Sequence, residues 1–304
     1  MPAYLPFAVR VSRVQRLSPT FVRVTVSGES LAGFAGHGYD QRINLIFPLP
    51  GEDAGTLPTG PDWVERWQAV PVERRPPLRT YTVRAFRPDR RELDLDFVLH
   101  GVAGPASRWA TEARPGDPLT VIGPVAGHPG PFNDVAWAPP AHAGRLLLAA
   151  DEAAVPAASA IVEMLGPHNR ATVVLEVPEP ADVLDLTVPD GVRLVWLARS
   201  RGERLGPVVR ELVADLVPVA AAAGPAREPR LASGATPEEP DEDDLWEVPT
   251  SEETVGRPDG FYAWLAGESG AVVGMRRHLV GERGMDRRAV AFMGYWRRGR
   301  AQAN

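Results

Sequence analysis

Arg145-Leu146-Leu147-Leu148-Ala149-Ala150 is the stretch at which the chain changes character. An unbroken apolar run of this length suits a strand covered on both faces. Downstream of it the pattern alternates between strand and helix: helix 155–165, strands 171–177 and 192–198, helix 206–217, strand 261–266, helix 270–283 and strand 289–295. Such alternation predicts a parallel sheet with right-handed crossovers.

Upstream the period is two. Val22, Val24 and Val26 alternate with polar residues, as do Leu93, Leu95, Phe97 and Leu99. This is the mark of half-buried strands. Six strands are expected, at 8–17, 21–28, 42–48, 79–87, 92–100 and 118–123, with a short helix near 106–113 stopped by Pro115-Gly116. Together they predict a six-stranded antiparallel Greek-key barrel over residues 1–128. A Pro-, Gly- and His-rich linker follows at 129–143, then a Rossmann-like α/β domain over 144–304. The α/β region is broken at about 218–258, where prolines and the acidic run Pro237–Asp244 (PEEPDEDD) read as a mobile, solvated excursion.

Composition removes several function classes. The 304 residues carry a net charge of −6, which argues against nucleic-acid binding. There is no cysteine, so thiolate nucleophiles, disulfides and cysteine-ligated clusters are excluded. Reversible redox chemistry would need a bound cofactor. The histidines lack metal-ligand spacing, and no metal site is expected. The start of the chain has no leader-like apolar segment, and no apolar run reaches membrane-spanning length, so a cytoplasmic protein without membrane insertion is expected. All 33 basic residues are arginine.

Arg79-Thr80-Tyr81-Thr82-Val83-Arg84 lies on a barrel strand. A flavin needs a cation for its pyrophosphate, a flat aromatic group and small hydrogen-bonding groups near the ring. Residues two apart share a strand face, so Arg79 and Tyr81 would point one way and Thr80 and Thr82 the other. Taken alone, the same residues also make a good exposed strand. A second segment ends a strand at Asp96-Phe97-Val98-Leu99-His100-Gly101 and starts a helix at Gly104-Pro105-Ala106-Ser107. Its small residues and free N–H groups form an anion site, or simply a capped helix.

These segments, in this order, resemble the siderophore-interacting protein family, a branch of the ferredoxin-reductase-like flavoproteins. Ala150-Asp151-Glu152-Ala153-Ala154-Val155-Pro156, Phe261–Glu268 (FYAWLAGE), Arg276-Arg277-His278-Leu279 and Gly294-Tyr295-Trp296-Arg297-Arg298-Gly299 extend the resemblance through the second domain. It implies non-covalent FAD held by Arg79, Thr80, Tyr81 and Thr82. Val98, Leu99 and His100 would lie along the ribityl and adenosine path, and Gly104, Ala106 and Ser107 at the pyrophosphate. Asp151, Glu152, Ala153 and Pro156 would flank the nicotinamide of NADPH or NADH. Trp264, Gly267 and Glu268 would lie at a strand end beside it, and Trp296 close to the flavin.

No side chain is assigned to catalysis beyond the flavin. The implied activity is reduction of a ferric siderophore by a monomer, with ferredoxin an alternative electron donor. Where the family often carries basic residues, this chain has Asn44 and Gly123-Pro124-Val125. Arg42, His128 and Arg297 are the substitutes available to an anionic chelate. Arg199, Arg201 and Arg204 either meet a 2′-phosphate or form a solvated loop. The basic tail from Arg276 to Arg300 either steers anions or simply solvates helix faces.

Overall fold

A computed structural model describes residues 2–49, 51, 59–99, 104–140, 143–216, 246–247 and 260–299. The first half forms a seven-stranded antiparallel sheet: β1 (Tyr4–Arg16), β2 (Phe21–Ser27), β3 (Arg42–Ile46), β4 (Leu78–Thr82), β5 (Ala85–Arg87), β6 (Glu92–Val98) and β7 (Pro118–Pro124). Their order is β4-β3-β7-β1-β2-β6-β5. The two edge strands are consecutive in sequence, with only Val83 and Arg84 between them. Two residues span roughly 7 Å, so the sheet has to roll until its edges meet. Hydrogen bonds from Val83 N to Gln41 O (2.8 Å) and from Arg84 N to Asp94 O (2.9 Å) fasten that seam.

One expectation is corrected here. The strand foreseen at 79–87 is two strands, β4 pairing with β3 and β5 with β6. Alternation over Thr80–Ala85 runs straight through the change of partner and hides it. A short helix, α1 (Trp63–Gln68), also escaped the sequence reading. It buries none of its residues, so it leaves no strong apolar stripe. The valines of β2 meet Phe7, Leu95, Phe97 and Val121 in the barrel core, with α2 (Pro105–Glu112) closing one end through Ala106 and Ala110.

The second half holds β8 (Arg145–Ala150), α3 (Val155–Met164), β9 (Ala171–Val177), β10 (Val192–Ala198) and α4 (Leu205–Leu216). A two-residue strand β11 (Trp246–Glu247) comes next, then β12 (Phe261–Glu268), α5 (Ser269–Arg276) and β13 (Val290–Trp296). The sheet order is β10-β9-β8-β12-β13-β11, parallel except for β11. Alternate residues of β8 face opposite ways. Leu146 and Leu148 pack with α3, while Leu147 and Ala149 pack with α4 and α5. Both faces are therefore covered, which is why RLLLAA contains no polar alternation.

Within the acidic excursion, residues 246–247 are anchored to the edge of β13, and Glu247 pairs with Arg276 (3.1 Å) and Arg287 (2.7 Å). The run Pro237–Asp244 lies outside the described residues. The helix expected to reach residue 283 ends its α-helical turns at Arg276 and continues as a π-helix over Arg277–Glu282. Among the described residues, no helix is long and apolar enough to cross a membrane.

The two halves share one seam. Phe21 of β2 packs into the core formed by α3, β8 and β12. Asp182, fully buried in the α/β half, accepts from Ser18 Oγ (2.8 Å), Thr20 N (2.7 Å) and Thr20 Oγ1 (2.8 Å) of the barrel. The connection near residue 135 is locked too: His37 pairs with Asp134 (2.9 Å), and Asp40 accepts from Ala136 N and Trp137 N.

Candidate functional site: two adjoining cavities

One cavity lies on the seam and a second beside it in the α/β half. The first, about 400 Å³, is bordered by Arg42, Thr80, Tyr81, Thr82, Asp96, Val98 and Ser107 from the barrel, and by Ala153, Pro156, Gly294 and Tyr295 from the α/β half. It meets β4 edge-on. That geometry explains why three consecutive residues, Thr80 to Thr82, border it, where alternation predicts only one face. Arg79 is half-buried next to Tyr81 and donates to its neighbour's carbonyl, Leu78 O (2.7 Å), but does not border the cavity. Burial lowers the Arg79 pKa from its ordinary value.

Tyr81 sits ring-to-ring with Phe97 (centroids 4.5 Å apart) and Phe47 (6.3 Å). Its burial pushes the phenol pKa well up, so the hydroxyl stays protonated. Thr80 Oγ1 donates to Asn44 Oδ1 (2.8 Å). Asp96, which the sequence reading did not single out, contributes a buried carboxylate. Arg23 grips it through two hydrogen bonds (2.7 and 2.8 Å), and Arg84 lies beside it at 3.7 Å while also pairing with Glu163 of α3. The cavity wall is thus braced across the seam by an acid–base chain.

At the other end, Ser107 Oγ donates to Val98 O (3.2 Å). Gly104 is the N-cap of α2 and offers no capping side chain, so the first amides of the helix keep their capacity for an anion. Ala106 turns its methyl into the barrel core, which leaves only its backbone for a ligand. Leu99 also packs against that core, and its N–H donates to Thr20 O (2.8 Å). His100 lies outside the described residues.

A flavin fits this set. The volume is in the range of cofactor pockets, and the wall offers two tyrosine rings, three Ser/Thr hydroxyls, an arginine and small residues. An uncapped helix start stands alongside.

The second cavity, about 340 Å³, opens where β8 and β12 end. The chain runs β8 to β9 to β10 in one direction and returns to β12 on the other side. That reversal is the topological switch point at which open α/β sheets bind nucleotides. Asp151, Glu268, Trp296, Arg204, Arg210 and Arg298 border it, with the start of α4. Asp151 is almost wholly buried and accepts from Glu268 N (2.6 Å), Trp296 Nε1 (2.8 Å) and Ala153 N (3.0 Å). Burial, reinforced by the neighbouring Glu152 charge, raises its pKa to about 7 despite those donors. Glu268 caps α5 by accepting from Ala271 N (3.0 Å).

Three candidates take other places. Trp264 is a correction: its side chain is fully buried, and its indole N–H donates to Asp40 (2.9 Å), so it is core. The local strand signature could not reveal a partner 224 residues away. His128 packs against Phe132 (5.5 Å), and neither it nor Arg297 borders either cavity. Arg199 borders the second cavity but is committed. It donates to Glu176 (2.7 Å) and to Glu152, which binds it to two buried carboxylates instead of leaving it as solvated loop. Arg201 lies outside the lining, while Arg204 and Arg210 border it. Tyr295 and Gly294, quoted only as part of a motif, border the flavin-sized cavity. Their position beside Trp296 in β13 was the available signal.

Residues 10–128 match the siderophore-interacting FAD-binding domain, and residues 143–299 match the siderophore-interacting protein family. The ferric vibriobactin reductase ViuB of Vibrio cholerae is 30% identical over 289 residues, covering 95% of this chain and 88% of its own. The NADPH-dependent ferric-chelate reductase of Escherichia coli is 35% identical over 193 residues, covering 62% of this chain and 70% of its own. The crystal structure of the siderophore-interacting protein SipS from Aeromonas hydrophila superposes with a TM-score of 0.67 at 31% identity, over 99% of this chain and 94% of that one. The chain belongs to the siderophore-interacting protein family.

Proposed function

We propose that this protein is an FAD-dependent reductase that passes electrons from NAD(P)H to ferric iron held by a siderophore. The balance is one NAD(P)H and two Fe(III) giving NAD(P)⁺, one proton and two Fe(II). The observation that carries the reading is the pair of adjoining cavities: one flavin-sized and framed by the Tyr81 strand, the other at the switch point of the parallel sheet. The likeness to two ferric reductases supports the choice of iron as acceptor.

Bound in the first cavity, FAD would supply the ability to accept two electrons together and release them singly. The protein's part is position and electrostatics. Tyr81, Thr80 and Thr82 would hold the ring, and the start of α2 with Ser107 the pyrophosphate. Ala153 and Pro156 keep the α/β wall small enough for a second planar ring to approach. Arg42, the one arginine bordering the cavity, would face an anionic chelate. The position of the second cavity at the switch point of the parallel sheet supports NAD(P)H over ferredoxin as donor.

The deciding experiment is anaerobic oxidation of NADH and NADPH, side by side, coupled to trapping of Fe(II) from ferric catecholates and hydroxamates. Fe(II) should appear only with flavin, pyridine nucleotide and ferric chelate all present. Protein that stays colourless and refuses added FAD would overturn the reading.

A further inference from the structure

Two segments make the partition between the cavities. One is the end of β13, where Gly294 and Tyr295 border the first cavity and Trp296 borders the second. The other is the turn after β8 and the start of α3, where Ala153 and Pro156 border the first and Asp151 the second. A single carboxyl group joins them. Asp151 Oδ2 accepts from both Trp296 Nε1 (2.8 Å) and Glu268 N (2.6 Å), and Oδ1 accepts from Ala153 N in its own turn (3.0 Å).

The surroundings leave this group no freedom. Gly267 has φ +143, and a Cβ there would stand 2.5 Å from the Asp151 Cγ, so the carboxyl occupies space that any side chain would need. The three groups that donate to it are neutral N–H groups, although a buried acid without a cation is expensive and an apolar residue would fold more cheaply. What the acid supplies is direction: one acceptor aimed at one indole N–H. The Trp296 carbonyl is held as well, accepting from Ser269 Oγ (3.0 Å).

We propose that Asp151 is a positioning residue that holds the Trp296 indole as the wall between the two cavities, and so sets how closely a dinucleotide approaches the flavin. The proposal rests on the function proposed above. Asparagine at this position offers one carbonyl oxygen and turns an amide donor toward Ala153 N or toward the shared pair, so at least one of the three bonds is lost. Phenylalanine at 296 keeps a ring but removes the donor.

The test uses FAD-loaded Asp151→Asn, Trp296→Phe and the double variant, read by the rate of flavin reduction on rapid anaerobic mixing with NADPH. Each single change is expected to slow reduction about tenfold with flavin content unchanged, and the double variant to be no slower than either, because both remove one contact. A wild-type rate in either single variant, or additive losses in the double, would overturn it. A second arm needs no cofactor. The Trp296 indole N–H resonance, identified by its absence in Trp296→Phe, should move upfield and exchange faster in Asp151→Asn. If the protein takes up no FAD, the proposed function fails and this arm decides the wall: a resonance unmoved by Asp151→Asn refutes it, and a shifted one supports it.

Discussion

The carboxylate of Asp40 in the barrel accepts a hydrogen bond from the indole of Trp264, in the central strand of the parallel sheet, at 2.9 Å. Both residues are fully buried, and Asp40 also receives Ala136 N and Trp137 N from the connection between the halves. Burial raises its pKa, opposed by those three donors. This one group ties barrel, connection and sheet together. Trp264→Phe keeps the ring but leaves the acid short of a donor. Thermal or urea unfolding should show a loss of about 2 kcal/mol, while flavin content stays close to that of the unaltered protein because the indole borders neither cavity. A drop in flavin binding with stability intact would show that Trp264 touches the cofactor.

Gly267 has φ +143, in the region that favours glycine, and its missing side chain makes room for Asp151. Gly267→Ala should cost about 1–3 kcal/mol through backbone strain and displacement of the carboxyl. Differential scanning calorimetry against the unaltered protein checks it.

Arg199 separates two buried glutamates, Glu152 and Glu176, and Glu176 also accepts from Leu205 N (2.6 Å) at the start of α4. Removing the cation leaves two uncompensated charges. Arg199→Ala should destabilise by about 3–5 kcal/mol. Arg199→Lys should rescue only part, since one ammonium does not span two carboxylates as a guanidinium does. Chemical denaturation curves of the two variants test the ranking.

Tyr81 is held by Phe97 and Phe47 while bordering the flavin-sized cavity. Tyr81→Ala should weaken FAD binding about tenfold, the scale of a lost aromatic contact of roughly 1.4 kcal/mol. Fluorescence titration of flavin into apoprotein measures it. Unchanged affinity would remove Tyr81 from the site.

Asp151 links stability to pH. Its pKa rises from an ordinary 3.8 to about 7 on folding, so between those values the native state keeps a proton that the unfolded chain has released. Stability therefore falls as pH rises from about 4 to about 7. Asp151→Asn should flatten that part of the profile, read as unfolding midpoints across pH 4 to 8. An unchanged slope would assign the dependence to other groups.

The period-two alternation of Val22 to Val26 and of Leu93 to Phe97, and the apolar run of β8, are local consequences of which faces are buried. The sequence by itself therefore determined the antiparallel first half, the parallel second half and the segments that frame both cavities. Thr80 to Thr82 and Ser107, which border the first cavity, and Asp151, which borders the second, stood in motifs visible there, while Trp296, expected beside the flavin, borders the second cavity. What depended on partners met only in the folded chain was not visible. The split of 79–87 into β4 and β5 follows from the rolling of the sheet, which brings its two edges together. Trp264 was claimed by Asp40, Arg199 by Glu152 in the turn after β8 and Glu176 on β9, and Glu247 by Arg276 and Arg287. Alternation reports which residues are buried, because burial repeats along the strand. It does not report what a buried polar group meets, because that partner is chosen by tertiary packing, whether it lies 23 residues away, as Glu176 does from Arg199, or 224, as Asp40 does from Trp264.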